Sequence, residues 1–129
     1  MASLSLDSIL NEDTSMSHES IVKSMIDAAV FGTSFQSAIK EFISDYASSL
    51  SEEAIASDIA GICGDFKSQS RDKETVIYSP EDKILFRKKT NNIINDVSRI
   101  CREMLGYAIV NKKRSGGAYV YEAVKWEKL

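Results

Sequence analysis

Proline occurs once in this chain of 129 residues, histidine once, tryptophan once and cysteine twice. Two cysteines are too few for the disulfide framework of a small secreted scaffold, and with a single histidine they offer no zinc-ligand spacing. Cys63 and Cys101 fall on apolar helix faces and read as buried thiols of a reducing, cytoplasmic compartment. No uninterrupted apolar run exceeds four residues, as in Ala28-Ala29-Val30-Phe31, far short of the roughly 20 that span a bilayer. No basic residue precedes Lys23, so the charged start of a secretory signal is missing. The lone His18 sits in a Ser-rich stretch, and neither a phosphate loop nor a nucleophile elbow occurs. Neither an enzyme nor a cofactor, metal or membrane partner is therefore expected.

What is present suits one globular domain: 43% hydrophobic and 27% charged residues. The net charge of −3 conceals an asymmetry. Residues 1–82 hold 5 Lys+Arg against 15 Asp+Glu, while residues 83–129 hold 11 against 4. An acidic front and a basic back suggest nucleic acid or an acidic partner on one side only. Mutual attraction of the halves, or ordinary solvated surface, accounts for the same numbers.

Along the chain, residues 1–16 read as a flexible Ser-rich arm. Residues 17–49 read as a helical hairpin packed on the body, its first helix carrying Ile21, Val22, Met25, Ile26 and Ala29 at helical spacing. Gly32 ends that helix and Thr33 or Ser34 caps the next, whose stripe is Phe35, Ala38, Ile39, Phe42, Ile43 and Tyr46. Of that stripe, Phe35, Ile39, Phe42 and Tyr46 are candidates for a partner or dimer surface, although such spacing more often marks core. A third helix opens in Ser49-Leu50-Ser51-Glu52, with the Ser-to-Glu spacing of a capping box, and is expected to stop at Gly64. Residues 67–74 then form a loop, and Thr75-Val76-Ile77-Tyr78 a short strand. Ser79-Pro80-Glu81-Asp82 is the best helix start in the chain, with an N-cap, proline in the first turn and acids on the dipole. Thr90-Asn91-Asn92 favours a break, after which residues 92–105 form a further helix closed by Gly106. Strands at 107–112 and 118–125 flank a turn at Gly116-Gly117, where paired glycines supply positive φ.

Helix, short strand, helix, helix, strand, strand over residues 50–126 resembles the winged helix-turn-helix domains of bacterial, archaeal and phage regulators. The resemblance is carried by Val97 to Val110, similar to a recognition helix, Gly turn and first wing strand. Gly116 to Tyr121 resembles the wing tip and returning strand, and Ser79 to Asp82 the start of the positioning helix. It implies an α+β, mostly helical fold: a winged-helix domain over 50–129 preceded by the helical hairpin. Two departures stand out. Pro80 to Val97 is longer than the usual spacing, and the turn between the two helices lacks its common glycine, so residues 80–105 read as one helix or as two.

Two functions follow. The first is a small DNA-binding regulator of transcription or replication, expected as a dimer. Asn92, Asn95 and Arg99 on one helix face suit adenine and guanine edges in the major groove. Arg102, Arg87, Lys88 and Lys89 suit phosphates, and Lys112, Lys113 and Arg114 at the wing tip suit backbone or minor groove. Asp96 on that face opposes phosphate. The alternative is a protein-interaction module, as in viral or phage effectors and complex subunits, that keeps the winged scaffold without binding DNA.

Overall fold

The computed structural model describes residues 17–115 and 118–127. Four helices, α1 (His18–Phe31), α2 (Gln36–Tyr46), α3 (Glu52–Glu74) and α4 (Pro80–Leu105), precede an antiparallel hairpin, β1 (Tyr107–Ser115) and β2 (Ala118–Lys125). This mostly helical α+β order is broadly consistent with a winged-helix-like scaffold.

Local chemistry sets most of the helix ends. Ser17 accepts from Ser20 N–H at 3.1 Å to open α1, Ser51 from Ala54 N–H at 3.1 Å to open α3, and Ser79 from Asp82 N–H at 3.3 Å to open α4. Each side chain satisfies one of the amide donors that a helix leaves unpaired at its start. Pro80 follows its cap directly, where its missing N–H costs nothing. Gly32 and Gly106 close α1 and α4 at φ 76° and 77°, a left-handed conformation in which a β-carbon would be strained. Two expected caps differ. Ser51, not Ser49, caps α3, and Phe35 rather than Thr33 or Ser34 takes the capping position of α2 without a side-chain bond.

Three further expectations are corrected. The third helix does not stop at Gly64 but continues to Glu74, so residues 67–74 are helix and not loop. The buried series Ile55, Ile59, Ile62 and Cys63, Phe66, Ser70 keeps helical spacing through the glycine, and tertiary packing outweighs its intrinsic cost of about 1 kcal/mol. Residues 75–78 are a turn, not a strand. The amides of Thr75, Val76 and Ile77 bond back to the carbonyls of Asp72, Lys73 and Glu74, which leaves them no role in a ladder. Finally, residues 80–105 form one continuous helix of 26 residues, about 39 Å long at 1.5 Å per residue. Thr90-Asn91-Asn92 does not break it. Thr90 is 2% exposed and its Oγ1 donates to the Arg87 carbonyl at 2.8 Å. Asn91 Oδ1 accepts from Lys67 Nζ on α3 at 2.7 Å, and Phe86, Ile93, Ile94 and Val97 carry the buried stripe across the site.

One core joins all four helices and the inner face of the hairpin. β2 lies on α3, β1 on α4 and α3, α1 on both long helices, and α2 on α4. Ile39 is 0% exposed, and Phe35 and Phe42 are buried beside it. Most of the stripe expected as a partner surface is thus consumed by the core, leaving Tyr46, tilted against Phe42 at 5.0 Å, at its edge. Cys63 and Cys101 are buried, free thiols. Burial pushes Cys63 well above the ordinary thiol range, with Cys101 adding to the shift. Burial likewise pushes Cys101 up to about 12, so both groups are inert as nucleophiles at neutral pH.

Candidate functional site

α4 displays the polar face that the sequence suggests. Lys88, Asn92, Asn95 and Arg99 recur at three- and four-residue spacing on its exposed side. The electrostatics of that face are less favourable to an anion than its cations alone indicate. Arg99 lies 3.6 Å from Asp96 and 3.5 Å from Glu103, so carboxylates of its own helix flank its guanidinium. The charge of Arg99 is thereby offset by Asp96 and Glu103.

Other expected contact residues have structural duties. The Arg102 guanidinium lies 5.0 Å from the Trp126 ring centroid, and its Nη1 donates to Ser98 Oγ at 3.4 Å. Arg87 pairs with Glu74 through Nε at 2.6 Å and ties α4 to α3. Lys89 is exposed and borders an apolar cleft described below. On the hairpin, Lys112 meets Glu122 across the strands at 3.6 Å. The side chains of Lys113 and Arg114, and Gly116-Gly117 as a whole, lie outside the described residues, as does the arm 1–16.

Ser98 fixes the position of the hairpin. It is buried, its Oγ accepts from Ile109 N–H at 3.0 Å, and it donates to the Ile109 carbonyl at 3.2 Å. One hydroxyl thus satisfies both polar groups of a residue on the edge of β1 that faces away from β2. Gly106 adds a second tie, its carbonyl accepting from Trp126 N–H at 2.9 Å.

A different surface emerges at the other end of α4. A cleft of about 450 Å³ is lined by Ala29 and Val30 of α1, by Val76 and Ile77 in the α3–α4 turn, and by Leu85 and Phe86 of α4. Lys73, Asp82 and Lys89 complete its lining. Val76 is 70% exposed and Tyr78, two residues on, 98%. Val30 and Leu85 of the lining are exposed too, as are Phe31 and Ile84, their neighbours in the chain. A cluster of large apolar side chains in solvent is uncommon on a folded monomer and marks interaction sites. Sequence reading missed this site because Val76, Ile77 and Tyr78 have strand composition, and a strand would have buried alternate members. The usable signal was Ile84-Leu85-Phe86, three successive apolar residues that no single helix face can bury together.

Among the described residues no group of side chains could hold a metal ion, and no helix is long and apolar enough to cross a membrane. Comparison with models of known families, with curated proteins and with solved structures gave no match.

Proposed function

We propose that this protein is a non-catalytic interaction module whose cleft between α1, the α3–α4 turn and the start of α4 receives an apolar segment of another protein. The observation that carries this reading is the exposed apolar lining, Val30, Val76 and Leu85, of a preformed concavity. Clefts of this size lined by apolar side chains, with a few polar groups at the rim, are the usual form of a binding site. Lys73 and Lys89 outnumber Asp82 at that rim. Apolar anchors flanked by carboxylates are the matching partner chemistry. The test is affinity capture from the native host followed by a binding titration with the captured protein. Val76→Asp with Leu85→Asp should abolish binding while the fold is retained, and Arg99→Ala should leave it unchanged. Equal binding by both variants would sink the reading.

DNA binding is the second reading, supported by the exposed face of Lys88, Asn92, Asn95 and Arg99 on a helix long enough to follow a groove. Its test is a duplex titration at low and high salt, because phosphate contacts release counterions and lose affinity steeply as salt rises. Under the interaction-module reading, no saturable, salt-dependent binding appears.

A further inference from the structure

The N-terminal arm, outside the described residues, carries the chemistry that the apolar cleft calls for: Leu4, Leu6, Ile9 and Leu10 among Asp7, Glu12 and Asp13. We propose that residues 4–13 dock in the cleft lined by Ala29, Val30, Val76, Ile77, Leu85 and Phe86, so that an outside partner binds by displacing them. This occupancy rests on the reading of that cleft as the protein's binding site, and it sets how the site is regulated.

Spacing and charge both select this segment. Leu6, Ile9 and Leu10 fall at positions i, i+3 and i+4, the spacing with which an amphipathic helix seats its anchors in a hydrophobic groove. Seating them there takes three apolar side chains out of water together with the exposed cleft residues Val30, Val76 and Leu85, and such burial is the main driving force of association. Residues 1–16 contain three carboxylates and no Lys or Arg. At the cleft, Lys73 and Lys89 stand against the single carboxylate of Asp82. Both lysines are exposed, and neither is in an ion pair among the described residues. An acidic segment therefore meets two available cations at the rim.

The tether is long enough. α1 begins at His18, directly after the arm and its cap, and delivers Ala29 and Val30 to the cleft. Val30 lies about 18 Å along the helix from His18 at 1.5 Å per residue. Residues 10–17 cover up to about 23 Å when extended, so Leu10 reaches the cleft and Leu6 and Ile9 can follow it in. A short tether also raises the local concentration of its own segment to the millimolar range, at which even a weak contact is occupied. The root of the arm faces a second recess, between α3 and β2. His18 Nε2 lies 3.0 Å from Asp65 Oδ2, and Asp65 lines that recess with Gly61, Gly64 and Val120. Its lining holds a carboxylate and no cation, which disfavours an acidic segment there.

The experiment attaches a nitroxide through Ser8→Cys to the isotopically labelled full chain, whose native thiols are buried and unreactive. Amide signals of Val76, Ile77 and Leu85 should broaden more strongly than those of Gly61, Gly64 and Val120. Leu6→Asp with Leu10→Asp should relieve that broadening. A synthetic peptide of residues 4–13 should then bind the doubly substituted chain saturably at the same amides. It should bind the parent about tenfold more weakly, because the tethered arm competes. Lys73→Ala with Lys89→Ala should weaken the peptide several-fold, and Arg99→Ala, at the hairpin end of α4, should leave it unchanged. An absence of broadening at the cleft would overturn the proposal, as would broadening centred on Gly61 and Val120. So would broadening seen only between molecules, in a mixture of nitroxide-bearing and isotope-labelled chains, for the occupant would then be a second copy. If the arm stays out while an outside partner still binds the cleft, the arm's role alone falls. If Val76→Asp with Leu85→Asp leaves both the arm contact and partner binding intact, the cleft is not the site and both readings fall.

Discussion

At the C-terminal end of α4, Arg99 is flanked by Asp96 and Glu103, Lys112 faces Glu122, and Arg102 covers Trp126. At the N-terminal end, Tyr78, Val76, Phe31 and Ile84 face solvent with their apolar surface uncovered. Leu85 and Arg99 are fourteen residues apart on one helix, about 21 Å, so the two ends belong to one rigid element yet differ in what they offer a partner. At the basic end Arg99 and Lys112 are already paired with carboxylates; the apolar end has surface that none of the described residues covers. Exposed ion pairs at moderate dielectric contribute little to stability. Exposed aromatic and aliphatic side chains contribute little to folding either, because folding does not remove them from water. Both surfaces are therefore nearly neutral for the fold, and only the second has a large free energy still to gain on association.

Cutting what the two ends share gives the largest effect. Phe66 is fully buried on the part of α3 beyond Gly64, and Phe66→Ala is expected to cost about 3–5 kcal/mol in a denaturant titration. A loss below about 1 kcal/mol would mean that α3 beyond Gly64 contributes little to the core. Ser98→Ala comes next and acts on the hairpin end alone. Removing the hydroxyl leaves the buried Ile109 amide and carbonyl without their partner, at about 1–3 kcal/mol. Faster amide exchange in β1 should accompany the fall in melting temperature, while the α3–α4 turn keeps its protection. The smallest effects fall on the contrasted surfaces themselves. Tyr78→Ser and Arg99→Ala should each change stability by less than about 1 kcal/mol. If Tyr78→Ser instead destabilised the protein as strongly as Ser98→Ala, the apolar end would be part of the fold and not a surface held ready.

Much of the fold was legible where a residue's duty is local. The Ser79-Pro80 start, the Gly32 and Gly106 stops, the hairpin and the stripe Ile93, Ile94, Val97, Ile100 all act within a few residues, so the chain displays them directly. The polar face of Asn92, Asn95 and Arg99 was legible for the same reason, since helical spacing alone sets it. The pairing of Arg102 with Trp126 and of Arg87 with Glu74 was not. Those contacts join residues 24 and 13 positions apart, and neither side chain signals its partner. Gly64 and Thr90-Asn91-Asn92 misled because propensity scores each residue alone, whereas burial of Phe66, Ser70 and Thr90 is a property of two packed helices.

By composition and periodicity, then, the chain specified a mostly helical domain ending in an antiparallel hairpin, with acid in front and base behind. Whether residues 80–105 were one helix or two depended on contacts with α3, because a turn worth about 1 kcal/mol is outweighed by a continuous buried stripe. The working surface was decided in the same way. Ile39 and Phe42 were candidates for a partner surface until α2 met α4, and Val76 and Tyr78 read as strand residues until the backbone there closed into a turn. Apolar residues declare that they must be covered; which of them the protein itself covers is settled only when the elements pack.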